Sequence, residues 1–217
     1  VPYYQDGAVT IYHGDCLELL DSLQVDALVT DPPYGIGLEN HGAGKHRRAD
    51  AFTIIGDDDG AATLSVLKWA EALGLVTVVF ASPKKPWPGA WRNILAWDKG
   101  GAVGGGGDPA TCWKQTWELV QIARNGPLKG GRDEGVIRRL MTPQQSQLHP
   151  AQKPISLMAY LIDKATYGTV LDPFMGSGTT LVAAKALGRH AVGIEIEERH
   201  CETAVKRLRQ ESLMLHG

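Results

Sequence analysis

Leu171-Asp172-Pro173-Phe174-Met175-Gly176-Ser177-Gly178-Thr179-Thr180 is the stretch whose reading decides the fold. The residues before it, Thr169 to Leu171, read as an apolar strand. Those after it, Thr180 to Leu187, read as a helix with its apolar residues on one face. Strand, tight loop and helix in succession present a helix N-terminus to whatever binds at the strand's end. Gly176 and Gly178 let the backbone turn sharply and approach a ligand closely. Ser177, Thr179 and Thr180 can cap the helix or donate hydroxyls.

The ligand of such a loop is constrained by what the loop lacks. The Gly-Lys-Ser/Thr ending of a phosphate-binding P-loop is missing, and so is the third glycine of the dinucleotide fingerprint. Asp172 at the loop's start would repel a phosphate. S-adenosylmethionine suits the loop better, because it carries an ammonium, a carboxylate and a sulfonium but no phosphate. Asp172 is expected to face the cationic end and the helix N-terminus the carboxylate. The next strand, Ala191 to Ile194, ends at Glu195, about twenty residues past the loop, the usual place for an acid that accepts from ribose hydroxyls. The competing reading makes Glu195 a solvated helix start ahead of Glu197 and Glu198.

Two earlier strands end in chemistry of their own. Ala8 to Tyr12 reads as a strand closing on His13-Gly14-Asp15, followed by a helix from Cys16 to Leu23 with a leucine face. Asp15 is placed as that helix's N-cap or as an acceptor for an adenine amino group, and the two roles are compatible. Val25 to Val29 reads as a buried strand running into Thr30-Asp31-Pro32-Pro33-Tyr34-Gly35. The two prolines remove two backbone donors and fix φ, so the carbonyls of Asp31 and Pro32 are held without being consumed by a helix. A carboxylate, a carbonyl and the face of Tyr34 together match a planar base bearing an exocyclic NH₂. An ordinary strand-ending turn is the alternative. It loses ground at the C-terminal end of a strand in an α/β sheet, where ligands bind.

The chain has 217 residues, enough for one domain with a small insertion, and its 26 glycines and 12 prolines imply many tight turns. Alternating strands and helices indicate an α/β sheet. A formal net charge of -2 excludes a global basic field, so any nucleic-acid surface is local. Cys16, Cys112 and Cys201 are scattered, which points to neither a disulfide framework nor a metal site and fits a reducing cytoplasm. No apolar run is long enough to span a bilayer, and no signal-peptide pattern is visible. The opening Val1 suggests a trimmed start.

The remaining elements are expected in order. Residues 38–60 form a flexible loop carrying Lys45, His46, Arg47 and Arg48, either a solvated charge run or a phosphate contact, closed by Asp57, Asp58 and Asp59. A helix covers Ala61 to Leu73, and strands cover Leu75 to Phe80 and Asn93 to Trp97. Trp113 to Ala123 is a further strand, paired as a hairpin with the previous one. Trp91, Trp97, Trp113 and Trp117 are assigned to core or sheet-face packing. The polar segment after Ala123 holds Arg132, Arg138 and Arg139. Helices follow at Ile155 to Ala165, started by Pro154, and at Glu198 to Leu213.

Asp31-Pro32-Pro33-Tyr34, followed by Asp172-Pro173-Phe174-Met175-Gly176-Ser177-Gly178-Thr179, resembles the amino-methylating DNA methyltransferases, and in this order their β class. His149-Pro150-Ala151-Gln152-Lys153-Pro154 and Gly193-Ile194-Glu195-Ile196-Glu197 extend the resemblance from about Gly14 to Leu208, nearly the whole chain. Each motif is weak alone, and four in sequence are strong. The resemblance implies a three-layer, mostly parallel, twisted Rossmann-like sheet, circularly permuted, with an antiparallel strand near one edge. The Glu195 strand then lies beside the Asp172 strand, the first strand outside both, and the Asp31 strand on the other side. It implies one domain with a short target-recognition insertion at 100–148, read by this chain alone or shared in a homodimer. S-adenosylmethionine is the implied cofactor, held by Asp15, Cys16, Asp31, Lys153, Asp172, Phe174, Gly176, Ser177, Gly178, Thr179, Glu195 and Ile196, with Lys153 on its carboxylate. Asp31, Pro32, Pro33 and Tyr34 are the implied catalytic set, acting on a flipped base of double-stranded DNA. Adenine N6 is favoured by an Asp rather than a Ser at the head of the motif, with cytosine N4 as the alternative. A non-catalytic nucleic-acid-binding subunit is a third reading.

Overall fold

A computed structural model describes residues 1–34, 60–100, 113, 115–123, 130–138 and 152–214, with side chains as far as Gln210. The described strands are β1 (Tyr4–Gln5), β2 (Val9–His13), β3 (Ala27–Thr30), β4 (Val76–Ala81), β5 (Asn93–Asp98), β6 (Trp117–Ala123), β7 (Val136–Arg138), β8 (Val170–Asp172) and β9 (Ala191–Glu195). They form one sheet in the order β1-β2-β9-β8-β3-β4-β6-β5-β7. Strands β2, β9, β8, β3 and β4 run parallel, β6 is antiparallel to both its neighbours, and β1 is antiparallel to β2 at the far edge. The expected neighbours of the Asp172 strand are therefore found on the expected sides.

The helices are α1 (Ala61–Ala72), α2 (Ile155–Ala165), α3 (Thr179–Ala186) and α4 (Glu198–Met214). Leu157, Met158, Leu161 and Ile162 of α2, the buried stretch Leu181 to Ala184 of α3, and Cys201, Ala204 and Leu208 of α4 join Val29, Val78, Phe80 and Trp97 in one layer. Val66 and Ala70 of α1 pack with Leu28, Leu171 and Ile194 on the sheet's other face. Helices thus cover both faces, which is why β3 and β8 are buried at every position instead of alternating. Between β8 and β3 the crossovers part in opposite directions, α3 leading to β9 and α1 to β4. A crevice opens at such a reversal.

Several expectations need correction. The predicted helix from Cys16 to Leu23 is two short 3₁₀ turns, Cys16–Glu18 and Leu20–Ser22. Only Cys16 and Leu20 are buried there, Leu17 is exposed, and Asp21 and Ser22 favour local turns over a regular helix. Strands β1 and β7 have two and three residues, too few to register as a period in sequence. Trp97 is buried and Trp91 partly so, but Trp113 is 84% exposed and Trp117 also reaches solvent. Trp117 faces Asp98 at the frayed end of the β5–β6 ladder, beyond helical cover. The tryptophan that does fill the core on that side is Trp87, whose indole N–H donates to the Phe80 carbonyl at 2.9 Å. The loop at 38–59 with Lys45, His46, Arg47 and Arg48, most of the 100–148 insertion with Arg139, and His149, Pro150 and Ala151 lie outside the described residues. No helix among the described residues is long and apolar enough to cross a membrane.

Candidate active site

Parallel strands in register end together. His13 lies beside Glu195, Asp172 beside Gly193, and Thr30 beside Val79. The segments that leave these strands, Gly14-Asp15, Glu195-Ile196, Pro173 to Gly178 and Asp31 to Tyr34, therefore emerge along one edge of the sheet. A hydrogen bond from Thr30 Oγ1 to Asp172 Oδ1 at 2.7 Å fastens the end of β3 to the end of β8.

The glycine loop is held by its surroundings. Gly176 (φ 49°) and Gly178 (φ 78°) both take the left-handed backbone that L side chains resist. The Gly176 N–H donates to Glu195 Oε2 at 2.9 Å, and Glu195 Oε1 accepts from the Glu197 N–H at 2.9 Å. A Cβ at Gly176 would meet nothing within 4 Å, so open space lies over the loop there. A Cβ at Gly178 would sit 2.7 Å from the Ala204 Cβ, so the loop rests directly on α4. Arg207 of α4 closes the other side. Its guanidinium donates to the Ser177 carbonyl at 2.7 Å and to the hydroxyls of Ser177 and Thr179 at 3.1 Å each. With its carboxamide oxygen turned inward, Gln152 accepts from the same guanidinium at 2.7 and 3.0 Å. Ser177 and Thr179 thus face Arg207, a residue that sequence reasoning left in a structural helix.

Asp172 is 2% exposed and looks inward. It accepts from Thr30, from Thr180 Oγ1 and from the Phe174 N–H at 3.2 Å, so it ties the loop to two strands instead of facing a ligand's cationic end. Burial pushes its carboxyl up to about 6 against these hydrogen bonds. A folded pKa above the unfolded one contributes stability that is present below about pH 4 and lost as pH rises through about 6. Asp172→Asn keeps an acceptor oxygen and removes the charge. In urea unfolding at a series of pH values, its stability relative to wild type is expected to improve by roughly 2–3 kcal/mol between pH 4 and pH 7. A difference that does not vary with pH would refute this reading of Asp172.

Past β3, Asp31 joins a cluster with Lys153, Tyr34, Glu118 and Lys99. Lys153 Nζ lies 2.5 Å from Asp31 Oδ2 and 3.1 Å from Glu118 Oε2. The Tyr34 hydroxyl lies 2.9 Å from Asp31 Oδ1 and 3.0 Å from Glu118 Oε2. Lys99 donates to Glu118 Oε1 at 2.9 Å. The Asp31 side chain keeps 26% of its surface exposed, whereas Lys153 keeps 8%. Burial pushes the Asp31 carboxyl above its ordinary value; Lys153 opposes the rise and Glu118 adds to it. Burial acts against ionisation of Glu118 as well, yet Lys153 and Lys99 hold it down at about 2. Burial would lower Lys153, but Asp31 and Glu118 outweigh it and keep the ammonium charged beyond its usual range. Burial and the two acids push the Tyr34 phenol well up. Of two carboxylates sharing one ammonium, Asp31 is the one that takes a proton more readily.

Lys153, expected on a cofactor carboxylate, is thus found between two protein carboxylates. Glu118 and Lys99 were not anticipated. Their signal was a charged residue in phase with the apolar Val120 and Ile122 along β6, opposite the buried Trp97.

The other predicted residues divide between that edge of the sheet and the surface by β7. Asp15 accepts from the Leu17 N–H at 2.9 Å, the N-cap geometry. Cys16 is buried, and burial pushes its thiol up to about 11. Phe174 packs partly against the α1-side core, and Ile196 is exposed at the edge, its carbonyl 3.1 Å from His13 Nε2. Arg132 and Arg138 lie on the surface by β7, Arg138 3.3 Å from Glu134. Among the described residues, Glu195, Glu197 and His200 place potential metal-ligand atoms within 4.8 Å of one another. Glu195 spends both oxygens on backbone amides, and Glu197 pairs with Arg199.

Known proteins share this arrangement. The profile of the N6_N4_Mtase family, described as DNA methylase, matches residues 97–206. The type II methyltransferase M.HinfI of Haemophilus influenzae is 43% identical over 257 aligned positions, covering 93% of this chain and 68% of that protein. The type II methyltransferase M.ScaI of Streptomyces caespitosus is 28% identical over 263 positions, covering 99% of this chain and 86% of that one. The crystal structure of the M1.HpyAVI–SAM complex superposes with a TM-score of 0.64 at 25% identity, covering 92% of this chain and 98% of that one. With half of its length matched by the family profile and 43% identity to M.HinfI, the chain belongs to the DNA methylase family whose members methylate adenine N6 or cytosine N4.

Proposed function

We propose that this DNA methyltransferase uses S-adenosylmethionine to methylate N6 of adenine at a specific site in double-stranded DNA. The observation that carries the reading is the placement of Asp31, partly exposed and with a raised pKa, at the strand end next to the glycine loop. The residues along that edge fit the cofactor. A Cβ at Gly14 or at Gly176 would meet nothing within 4 Å, which leaves room beside the ends of β2 and β8. Glu195 supplies a carboxylate between them for ribose hydroxyls, and the α3 N-terminus favours a carboxylate ligand. Phe174 and Ile196 offer apolar surface, and Asp15 an acceptor.

Bound S-adenosylmethionine supplies an electrophilic methyl group. The protein's task is to make an aromatic amine nucleophilic, because its lone pair is delocalised into the ring. Asp31 and the Pro32 carbonyl accept the two N–H bonds of the amine and draw its nitrogen toward tetrahedral geometry, while Pro33 keeps the turn rigid. The same acceptors stabilise the positive charge that develops on nitrogen, an effect of about 2–4 kcal/mol. The carboxylate of Asp31, more basic than usual, then takes the extra proton of the methylated amine and releases it to water. Tyr34 offers its ring to the base, which leaves the duplex at a cost of roughly a few kcal/mol. Arg132 and Arg138, with Lys45, His46, Arg47, Arg48 and Arg139, are assigned to DNA phosphates, and affinity should fall with salt accordingly. We assign the whole chain to one catalytic domain, with target reading in the 100–148 insertion, in a cytoplasmic enzyme free to pair as a homodimer.

Adenine is preferred over cytosine because the motif begins with Asp31 and not a serine, a distinction of resemblance, since the acceptor chemistry suits either amine. Plasmid DNA methylated by the protein, digested to nucleosides and analysed by mass spectrometry, should yield N6-methyldeoxyadenosine. N4-methyldeoxycytidine would transfer the mechanism to the other base, and neither product would refute the reading.

A further inference from the structure

Asp31 has a competitor for the amine it is assigned to bind, and that competitor is the protein's own Lys153. The oxygens can be assigned one by one. Asp31 Oδ1 takes the Tyr34 hydroxyl and Oδ2 takes Lys153. Glu118 Oε1 takes Lys99, and Oε2 lies in reach of both Lys153 and Tyr34. The Lys153 ammonium therefore covers the Asp31 oxygen where a nitrogen donor from a substrate would dock. An entering amine therefore competes with that ammonium for the Asp31 oxygen.

At the same position the ammonium has further partners besides Asp31. Lys153 Nζ lies 4.9 Å from the centre of the Phe80 ring, 5.7 Å from that of Trp97 and 5.8 Å from that of Tyr34. Three ring faces and the Glu118 carboxylate satisfy a cation without help from Asp31. Phe80 and Trp97 meet edge to face at 6.1 Å and are fully buried, so these two walls of the cage belong to the core. Glu118 is itself fixed by Lys99 from the opposite side. Either of the Tyr34 acceptors can take its single proton, so the phenol can follow whichever carboxylate needs a donor.

We propose that Glu118 is a positioning residue that draws Lys153 off Asp31 when the target amine enters, leaving Asp31 Oδ2 free as the amine's acceptor. The inference rests on Asp31 being that acceptor. In the free enzyme one ammonium bridges both carboxylates. In the substrate complex it stays with Glu118 and the ring cage, and the amine takes its former place. Lys153 thus keeps the crevice electrically balanced while it is empty, and on giving way it keeps its own charge paired with Glu118, while the partly exposed Asp31 keeps the Tyr34 hydroxyl and gains the amine N–H.

Glu118→Gln retains the shape and the hydrogen-bonding oxygen but removes the charge. Among the described residues, Lys153 is then left with Asp31 as its one full counter-charge. At saturating DNA and cofactor, the single-turnover methylation rate should fall by about tenfold or more, while cofactor affinity stays within about twofold. The pH profile supplies the readout that a merely structural role would not move. Glu118 raises the Asp31 pKa and Lys153 lowers it. The acid limb of the rate should therefore move to lower pH in Glu118→Gln and to higher pH in Lys153→Met. The double variant should bring the limb back toward wild type and turn over faster than Glu118→Gln alone, because the competing ammonium is gone. Glu118→Asp, which keeps the charge, should retain most of the rate and serves if the glutamine variant folds poorly. An unmoved acid limb, or a double variant no faster than the single, overturns the proposal. Asp31→Asn run alongside separates the two failures: if it too is fully active, the assignment of Asp31 falls and not merely that of Glu118.

Discussion

Asp31→Ala should lose methyl transfer almost completely, with kcat down by about 10²–10³-fold, the usual loss when a group that stabilises transition-state charge is removed. The fold should survive, because Lys153 keeps Glu118 at 3.1 Å and its ring contacts, so no buried cation is orphaned. Cofactor affinity should change little, because the loop at Gly176 is held by Glu195 and Arg207 and not by Asp31. Equilibrium dialysis with labelled cofactor, beside a methyl-incorporation assay, measures both. In the wild type, the acid limb of kcat/KM should lie above the ordinary carboxylate range, since Asp31 must be ionised to accept the amine and burial makes ionisation harder. An alanine variant with normal turnover would remove Asp31 from the mechanism.

The second large effect separates two glycines two residues apart. Gly176→Ala adds a methyl to open space and incurs only the left-handed backbone penalty, roughly 1–2 kcal/mol. Gly178→Ala incurs the same penalty and also drives a methyl into Ala204, a collision with a side chain that cannot rotate away, worth about 1–3 kcal/mol more. Gly178→Ala should therefore be the less stable protein in thermal unfolding. Gly176→Ala should be the poorer cofactor binder, with Kd raised by about tenfold or more, since its methyl fills the space over the loop. The opposite ranking in both measurements would mean that the open space at Gly176 is not where the cofactor lies.

What could be read in advance followed from period and punctuation. The strands around Asp172 and Glu195 and the long helices were legible because buried parallel strands are continuous apolar runs bounded by glycine and proline, whereas the order β2-β9-β8-β3 followed from the family resemblance. The motif residues were legible because they sit where those strands end. The misplaced details share a cause: they depend on which partner a side chain finds. Asp172 read as a ligand contact because its carboxylate was visible in sequence and Thr30 and Thr180, which consume it, were not recognisable as its donors. Lys153 read as a cofactor contact because Glu118 is 35 positions away and belongs to a strand that appeared merely structural. Arg207 was hidden for the same reason, on a helix whose exposed face is otherwise a charged surface. Short elements such as β7 and the 3₁₀ turns are set by packing against neighbours, and three residues carry no periodicity.

The clasp that Arg207 places on Ser177 and Thr179 joins the last described helix to the middle of the cofactor loop, while β2, early in the sequence, lies between β1 and β9. The crevice is thus assembled from segments far apart in the sequence. A chain cut short before Arg207 would keep its acid-proline-proline turn and the Glu195 contact to Gly176, but it would lose the clasp on Ser177 and Thr179.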